Sequence, residues 1–126
     1  MPAATIKATG DTNIRSTDQH STEYYTKDFM PVGRMSGQQI DRILLKFDFS
    51  PVSNTIIDSA VLYLYQDYSE NAYSNTLTFY ARCITGAWSE NTVTYANQPA
   101  ATETAQAALT LSGNANGSRS FVLQAL

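Results

Sequence analysis

With 126 residues, 43% of them hydrophobic and only 15% charged, the chain suits one domain, residues 1–126, whose core needs no disulfide or metal to hold it. Its formal net charge of -3 and pI near 4.9 argue against the clustered basic footprint of a nucleic-acid binder, so nucleic acid is not expected as a partner. No apolar run approaches the roughly 20 residues that span a bilayer, which argues against membrane insertion. The N-terminal MPAATIKATG has no apolar signal core, although a mature secreted protein would have lost one, so the compartment stays open. Cys83 is the single cysteine and can form no intrachain disulfide.

Threonine, serine, asparagine and tyrosine are plentiful, a balance that favours strand over helix. ATIKATGDTNIRS alternates weakly around Ile6 and Ile14, with Gly10 and Asp11 between them, and predicts two short strands or one bent strand. Thr17 to Tyr25 form a polar surface loop. TKDFMPVGR returns to β-character around Pro31, which implies an edge strand or a bulge, and MSGQQ makes a turn.

Asp41 to Ser50, DRILLKFDFS, is the clearest strand. Ile43, Leu45, Phe47 and Phe49 share the core-facing parity, and Arg42, Leu44, Lys46 and Asp48 share the outward one. After a loop from Pro51 to Thr55, IIDSAVLYLYQDYS gives a second long strand with Ala60, Leu62 and Leu64 inward and Val61, Tyr63 and Tyr65 outward. ENAYSN turns the chain. TLTFYARCI is a third strand, with Leu77, Phe79, Ala81 and Cys83 on one face and Thr78, Tyr80 and Arg82 on the other. On that parity Cys83 reads as a small buried hydrophobe rather than a nucleophile.

WSENTVTYANQP, Trp88 to Pro99, follows. Trp88 is the only tryptophan, an anchor whose ring pins a crossover to the core. Ser89 to Asn91 read as a turn, Thr92 to Tyr95 as a short alternating strand that sends Val93 and Tyr95 into the core, and Pro99 as its stop. Trp88, Val93, Tyr95 and Pro99 are therefore read as structural. Beyond Pro99 a short strand is expected at Ala108 to Leu111, then a turn from Gly113 to Gly117, and SFVLQAL opens a further apolar element. No helical period and no internal repeat is sustained. Two antiparallel sheets packed as a sandwich accommodate this many alternating strands.

Four segments, GDTNIRS, DRILLKFDFS, IIDSAVLYLY and WSENTVTYANQP, together resemble the DNRLRE-domain family, which is related to disaggregatase-type repeats and to alginate-binding carbohydrate-binding modules. The resemblance covers nearly the whole chain, and the last segment is its most specific motif. It implies an all-β, jelly-roll-like sandwich of two antiparallel sheets, used as an attachment module in extracellular, cell-wall and phage-associated proteins. Two departures stand out. Family members continue past the position of Leu126 with a further strand, so the final strand of the sandwich is expected to be missing here or supplied by a protein partner. The polar loop Thr17 to Tyr25 also replaces what is more often a short glycine-rich connection.

The chemistry in the sequence points away from catalysis. His20 is the only histidine and sits in a polar loop without a motif, while nothing in the spacing of Asp48, Asp58, Asp67, Glu70 and Glu90 singles out a catalytic pair. No catalytic residue is assigned. Calcium needs clustered oxygen donors. Asp67, Glu70, Asn71 and Asn75 in one loop, and Asp11 with Asn13 in another, leave a structural calcium open, with solvated turn residues as the competing account.

The outward parities are the better candidates for binding. Arg42, Lys46, Tyr63, Tyr65, Tyr80 and Arg82 fall on the outer faces of the central strands. Tyrosine rings stack on the apolar faces of sugars, and an arginine fork grips a uronate carboxylate in bidentate fashion. These six are the candidate ligand residues for a polysaccharide or surface glycan of acidic type on an extracellular or cell-surface protein. Cross-strand pairing on a solvated face is the plainer account of the same residues. The alternative function is a structural building block of a virion or surface assembly that works through protein contacts.

Overall fold

In the computed structural model the chain is all-β, with three small antiparallel sheets and no α-helix among the described residues. The structure describes residues 4–26, 29–34, 38–54, 56–66, 77–104, 107–111 and 117–123. The chain divides into two compact units: one of Met1–Thr55 with Gly86–Ala100, the other of Ile56–Thr85 with Ala101–Leu126.

The first unit holds a three-stranded sheet of β1 (Ala8–Arg15), β2 (Gly33–Arg34) and β3 (Ile40–Phe47), in the order β1-β3-β2. The N-terminal segment is one bent strand: its register shifts between Ala8 and Gly10, then runs without a break from Gly10↔Lys46 to Arg15↔Asp41. Of the described residues around Pro31, two pair, Gly33 with Asp41 and Arg34 with Ile40, on an edge as the proline requires. Gly33 has φ 127, a left-handed value that a side chain would disfavour. Between β1 and β2 the polar stretch forms turns and a 3-10 turn, Glu23–Thr26, with no buried residue.

Strand β3 departs from simple alternation. Asp41, on the core-facing parity, is 1% exposed, but so nearly is Leu44 at 6%, on the parity expected to face outward. Both faces of the strand are covered at that point. Phe49, expected inside, is 50% exposed, because the strand ends at Phe47 and its parity does not carry past that end. Asp48 instead closes a turn into the 3-10 segment Ser50–Val52, accepting bonds from the Ser50 backbone N–H (2.9 Å) and hydroxyl (3.1 Å). Those two bonds hold its carboxyl below the usual aspartate range.

The second unit holds two antiparallel pairs: β4 (Ala60–Gln66) with β7 (Gly117–Leu123), and β5 (Leu77–Ala81) with β6 (Ala107–Leu111). In β4 the expected faces are observed, with Ala60, Leu62 and Leu64 half-buried and Val61, Tyr63 and Tyr65 exposed. The first four residues of SFVLQAL, Ser120 to Leu123, are the latter part of β7, which pairs with β4 from Ala60↔Leu123 to Gln66↔Gly117, and the rest of that segment lies outside the described residues. Strand β6 begins at Ala107, one residue before the expected start.

Cys83 contradicts the reading of a buried residue: it is free and exposed. Strand β5 stops at Ala81, so the alternation that placed Cys83 inward no longer applies there. Its carbonyl accepts a bond from the Thr102 N–H (2.9 Å), beside the isolated bridge between Ile84 and Ala101. The turn ENAYSN and the expected turn from Gly113 to Gly117 lie, but for Gly117, outside the described residues.

Burial orders two core substitutions. Leu44→Ala should cost about 2–5 kcal/mol in urea unfolding, as for a buried leucine, while Phe49→Ala should cost less than half as much because half the ring is already in water.

Candidate functional site

Each unit carries part of the residue set expected to bind ligand. In the first, the segment Trp88 to Pro99 is fastened to β3 by two cations on one face of that strand. Lys46 Nζ lies 4.6 Å from the centroid of the Trp88 ring and donates to the Trp88 carbonyl. Arg42, four residues earlier, lies 5.5 Å from the Tyr95 ring, and its Nη1 donates to Gln98 Oε1 at 2.6 Å. Gln98 Nε2 in turn donates to the Tyr95 carbonyl at 2.9 Å. Leu44 lies between these two cations on the same parity of β3 and is buried. Glu90 adds a third fastening by accepting a bond from the Asp11 backbone N–H at 2.9 Å.

The segment does not contain the expected strand from Thr92 to Tyr95. Val93 and Thr94 are both buried, at 5% and 7% exposure, although adjacent strand residues would face opposite ways. Asn97 explains the geometry. Its Oδ1 accepts from the Thr94 N–H (2.6 Å), its Nδ2 donates to the Thr92 carbonyl (3.2 Å), and its own N–H donates to Thr94 Oγ1 (3.2 Å). The Val93 N–H donates back to the Ser89 carbonyl at 3.0 Å. Side-chain and turn bonds thus satisfy the backbone groups that a ladder would have used. Of the residues read as structural, Val93 is buried, and Trp88, Tyr95 and Pro99 are half-buried. An open cavity of about 160 Å³ lies among Ala87, Trp88, Ser89, Thr92, Val93 and Asn97.

On the opposite parity of β3 a polar cluster surrounds Asp41. Its Oδ1 accepts from Arg15 Nε at 2.9 Å and from Asn13 Nδ2 at 3.5 Å, and its Oδ2 accepts from Gln39 Nε2 at 2.7 Å. The bond to Asp41 raises the Arg15 pKa above its ordinary value against the opposing effect of burial, so this guanidinium stays charged throughout the working pH range. Arg15 also lies 5.1 Å from the centroid of the Tyr24 ring, whose hydroxyl donates to Asp18 Oδ2 at 2.9 Å. Burial, followed by that bond to Asp18, pushes the Tyr24 hydroxyl pKa up.

In the second unit, Tyr63 and Tyr65 stand on β4, 71% and 70% exposed. Tyr80 on β5 is 60% exposed, with the Arg82 guanidinium 5.8 Å from its ring centroid. Arg82 lies just past the end of β5 and donates through Nη1 to the carbonyls of Thr102 (3.3 Å) and Glu103. The strands carrying the six candidates are not ladder neighbours: β3 pairs with β1 and β2, β4 with β7, and β5 with β6. The structure therefore brings together Arg42 and Lys46 on one strand face, Tyr63 and Tyr65 on another, and Tyr80 with Arg82 on a third. It also adds Trp88, Tyr95 and Gln98 to the two cations of β3. Their closeness follows from long-range packing that no local spacing encodes.

Among possible acid–base groups, Asp48 and Glu90 are engaged in backbone bonds, and His20 and Asp58 are exposed. No group of three or more His, Cys, Asp or Glu side chains gathers as a metal site among the described residues. Asp67, Glu70, Asn71 and Asn75 lie outside them. Asp11 is exposed and Asn13 is directed toward Asp41. No helix among the described residues is long and apolar enough to cross a membrane.

The model of carbohydrate-binding module family 96 matches residues 2–119, and the chain belongs to that family. No curated protein and no solved structure shows a significant match.

The polar cluster yields a direct stability test. Asp41→Ala should cost about 3 kcal/mol in chemical denaturation, the lower end for a broken buried ion pair, since Arg15 stays partly hydrated. Asn97→Ala should cost about 1–3 kcal/mol, because it deprives the Thr94 N–H of its acceptor in a part-buried site. A stability within a few tenths of the parent for either variant would contradict these assignments.

Proposed function

From its membership of carbohydrate-binding module family 96, we propose that the chain is a non-catalytic attachment module that holds an extracellular or cell-surface protein to a polysaccharide. The family match over residues 2–119 is the observation that carries this reading. A sandwich of the DNRLRE-domain type is the architecture it favours. The ligand groups are the six outward residues, in two sets: Arg42 and Lys46 in the first unit, and Tyr63, Tyr65, Tyr80 and Arg82 in the second.

The physical case rests on exposure. A tyrosine ring left in water forgoes the burial that aromatic residues normally obtain, and the exposed rings of Tyr63 and Tyr65 on β4 and of Tyr80 on β5 are suited to stacking on sugars. The guanidinium of Arg82 beside Tyr80 favours sugars that carry a carboxylate, since a planar fork and an anion form paired, charge-assisted bonds. That arrangement supports an acidic sugar at Tyr80 and Arg82.

Changing Tyr80 and Arg82 together to alanine should lower affinity for an acidic polysaccharide by roughly tenfold or more in titration calorimetry, equivalent to at least about 1.4 kcal/mol. The far-ultraviolet spectrum and melting temperature should stay near those of the parent, both side chains being exposed. Unchanged binding by the folded double variant would remove these residues from the site.

A further inference from the structure

The outer face of the β4–β7 pair differs in kind from the other two candidate faces. Its register sets Val61 opposite Val122, Tyr63 opposite Ser120 and Tyr65 opposite Ser118. All six residues are exposed, and none carries a charge at neutral pH. Arg119, the charged residue of β7 among those described, belongs to the other face: it pairs with Leu64, and its Nε donates to Gln66 Oε1 at 3.0 Å. By contrast, each cation among the candidates already lies over an aromatic ring, and each donates to a protein oxygen: Lys46 to the Trp88 carbonyl, Arg42 to Gln98, and Arg82 to the Thr102 and Glu103 carbonyls.

We infer that the strip formed by Tyr63, Tyr65, Ser118 and Ser120 is a stacking platform for a neutral polysaccharide, and that it holds the chain by ring faces and hydroxyls without charge pairing. The inference rests on the proposed glycan-binding role and specifies the sugar class for this part of the site. Two residues apart on one strand, the tyrosines stand roughly 7 Å from each other, the length scale of a sugar ring. Each faces a serine across the ladder, a residue too small to cover it, so the aromatic surface stays open and a hydroxyl lies beside it. A pyranose offers the complement: a patch of C–H bonds for the ring and equatorial hydroxyls for the serines. Charge selects the class. A polyanion would set its carboxylates over a face that has no cation among its described residues, whereas a neutral sugar gives up less hydration there.

The test is titration calorimetry of the full chain with cellohexaose, mannohexaose and oligogalacturonate at low and high salt, together with amide chemical-shift mapping. A neutral hexaose should bind with an affinity that changes less than twofold with salt, because no ion pair is screened. Its shifts should centre on Tyr63, Tyr65, Ser118 and Ser120. Tyr63→Ala with Tyr65→Ala should weaken it at least tenfold, and the two tyrosine-to-phenylalanine changes should retain most of it. Binding of oligogalacturonate alone, or neutral binding whose shifts fall elsewhere, would overturn the platform and leave the glycan-binding role standing. Silence towards all three sugars would overturn both. The mapping uses the parent protein, so the platform can be refuted even where the double alanine variant fails to fold.

Discussion

A carboxylate removed from water must be surrounded by donors, and the first unit is built around one that is. Asp41 is buried to 1% exposure, and three side chains, Arg15, Asn13 and Gln39, donate to it. Two of these come from β1 and one from the residue that leads into β3. The arrangement ties register to charge: Arg15 is the ladder partner of Asp41, and a slip by one residue would send the guanidinium to the other face of the sheet. An apolar residue at position 41 would allow more registers. A buried ion pair of this kind adds little net stability, but loss of one partner is costly, and it thereby penalises alternative pairings.

With that register set, the opposite face of β3 becomes a dock. Arg42 and Lys46 project there four residues apart, and the Trp88–Pro99 segment lies against both through aromatic rings and backbone or amide oxygens. The segment keeps its shape through Asn97, whose side chain takes over the bonding of Thr92 and Thr94. A strand with both faces covered buries Leu44 as well as Asp41, and this is why a single alternation does not describe it. The first unit thus depends on one charged residue for its register and on two more for its covering segment.

The sequence specifies the structure most directly through period-two patterning, which is local and strong in strand interiors. Strand β4 shows its inward and outward residues in the expected alternation, and the bend in β1 and the edge position of Gly33–Arg34 follow from Gly10, Asp11 and Pro31. The same patterning fails where a strand stops. Phe49 lies two residues past β3 and Cys83 two past β5, so both keep a parity that the backbone has abandoned. Thr92 to Tyr95 is a different case, since alternation of apolar and hydroxyl residues is also compatible with a turn held by an asparagine. The six candidate ligand residues were legible as outward positions, but their grouping was not. It depends on which strands pair, and ladder partners such as β4 with β7 are separated by half the chain.

The same patterns bear on how such a module separates holding itself together from holding a ligand. A cation over an aromatic ring, bonded also to a carbonyl or amide oxygen, has already exchanged much of its water for protein; recruiting it to a ligand would mean giving up those contacts. Arg42 and Lys46 meet that description most fully, because the segment they fasten also covers Leu44. Tyr63 and Tyr65 do not, being about 70% exposed. Ligand contact at the tyrosines therefore leaves the fold's own interactions intact, whereas contact through Arg42 or Lys46 would draw on the fastening of Trp88 to Pro99. Under the proposed assignment, binding and stability vary independently on β4 and together on β3, so the outer face of β4 is where a sugar preference would change with the least disturbance to the fold.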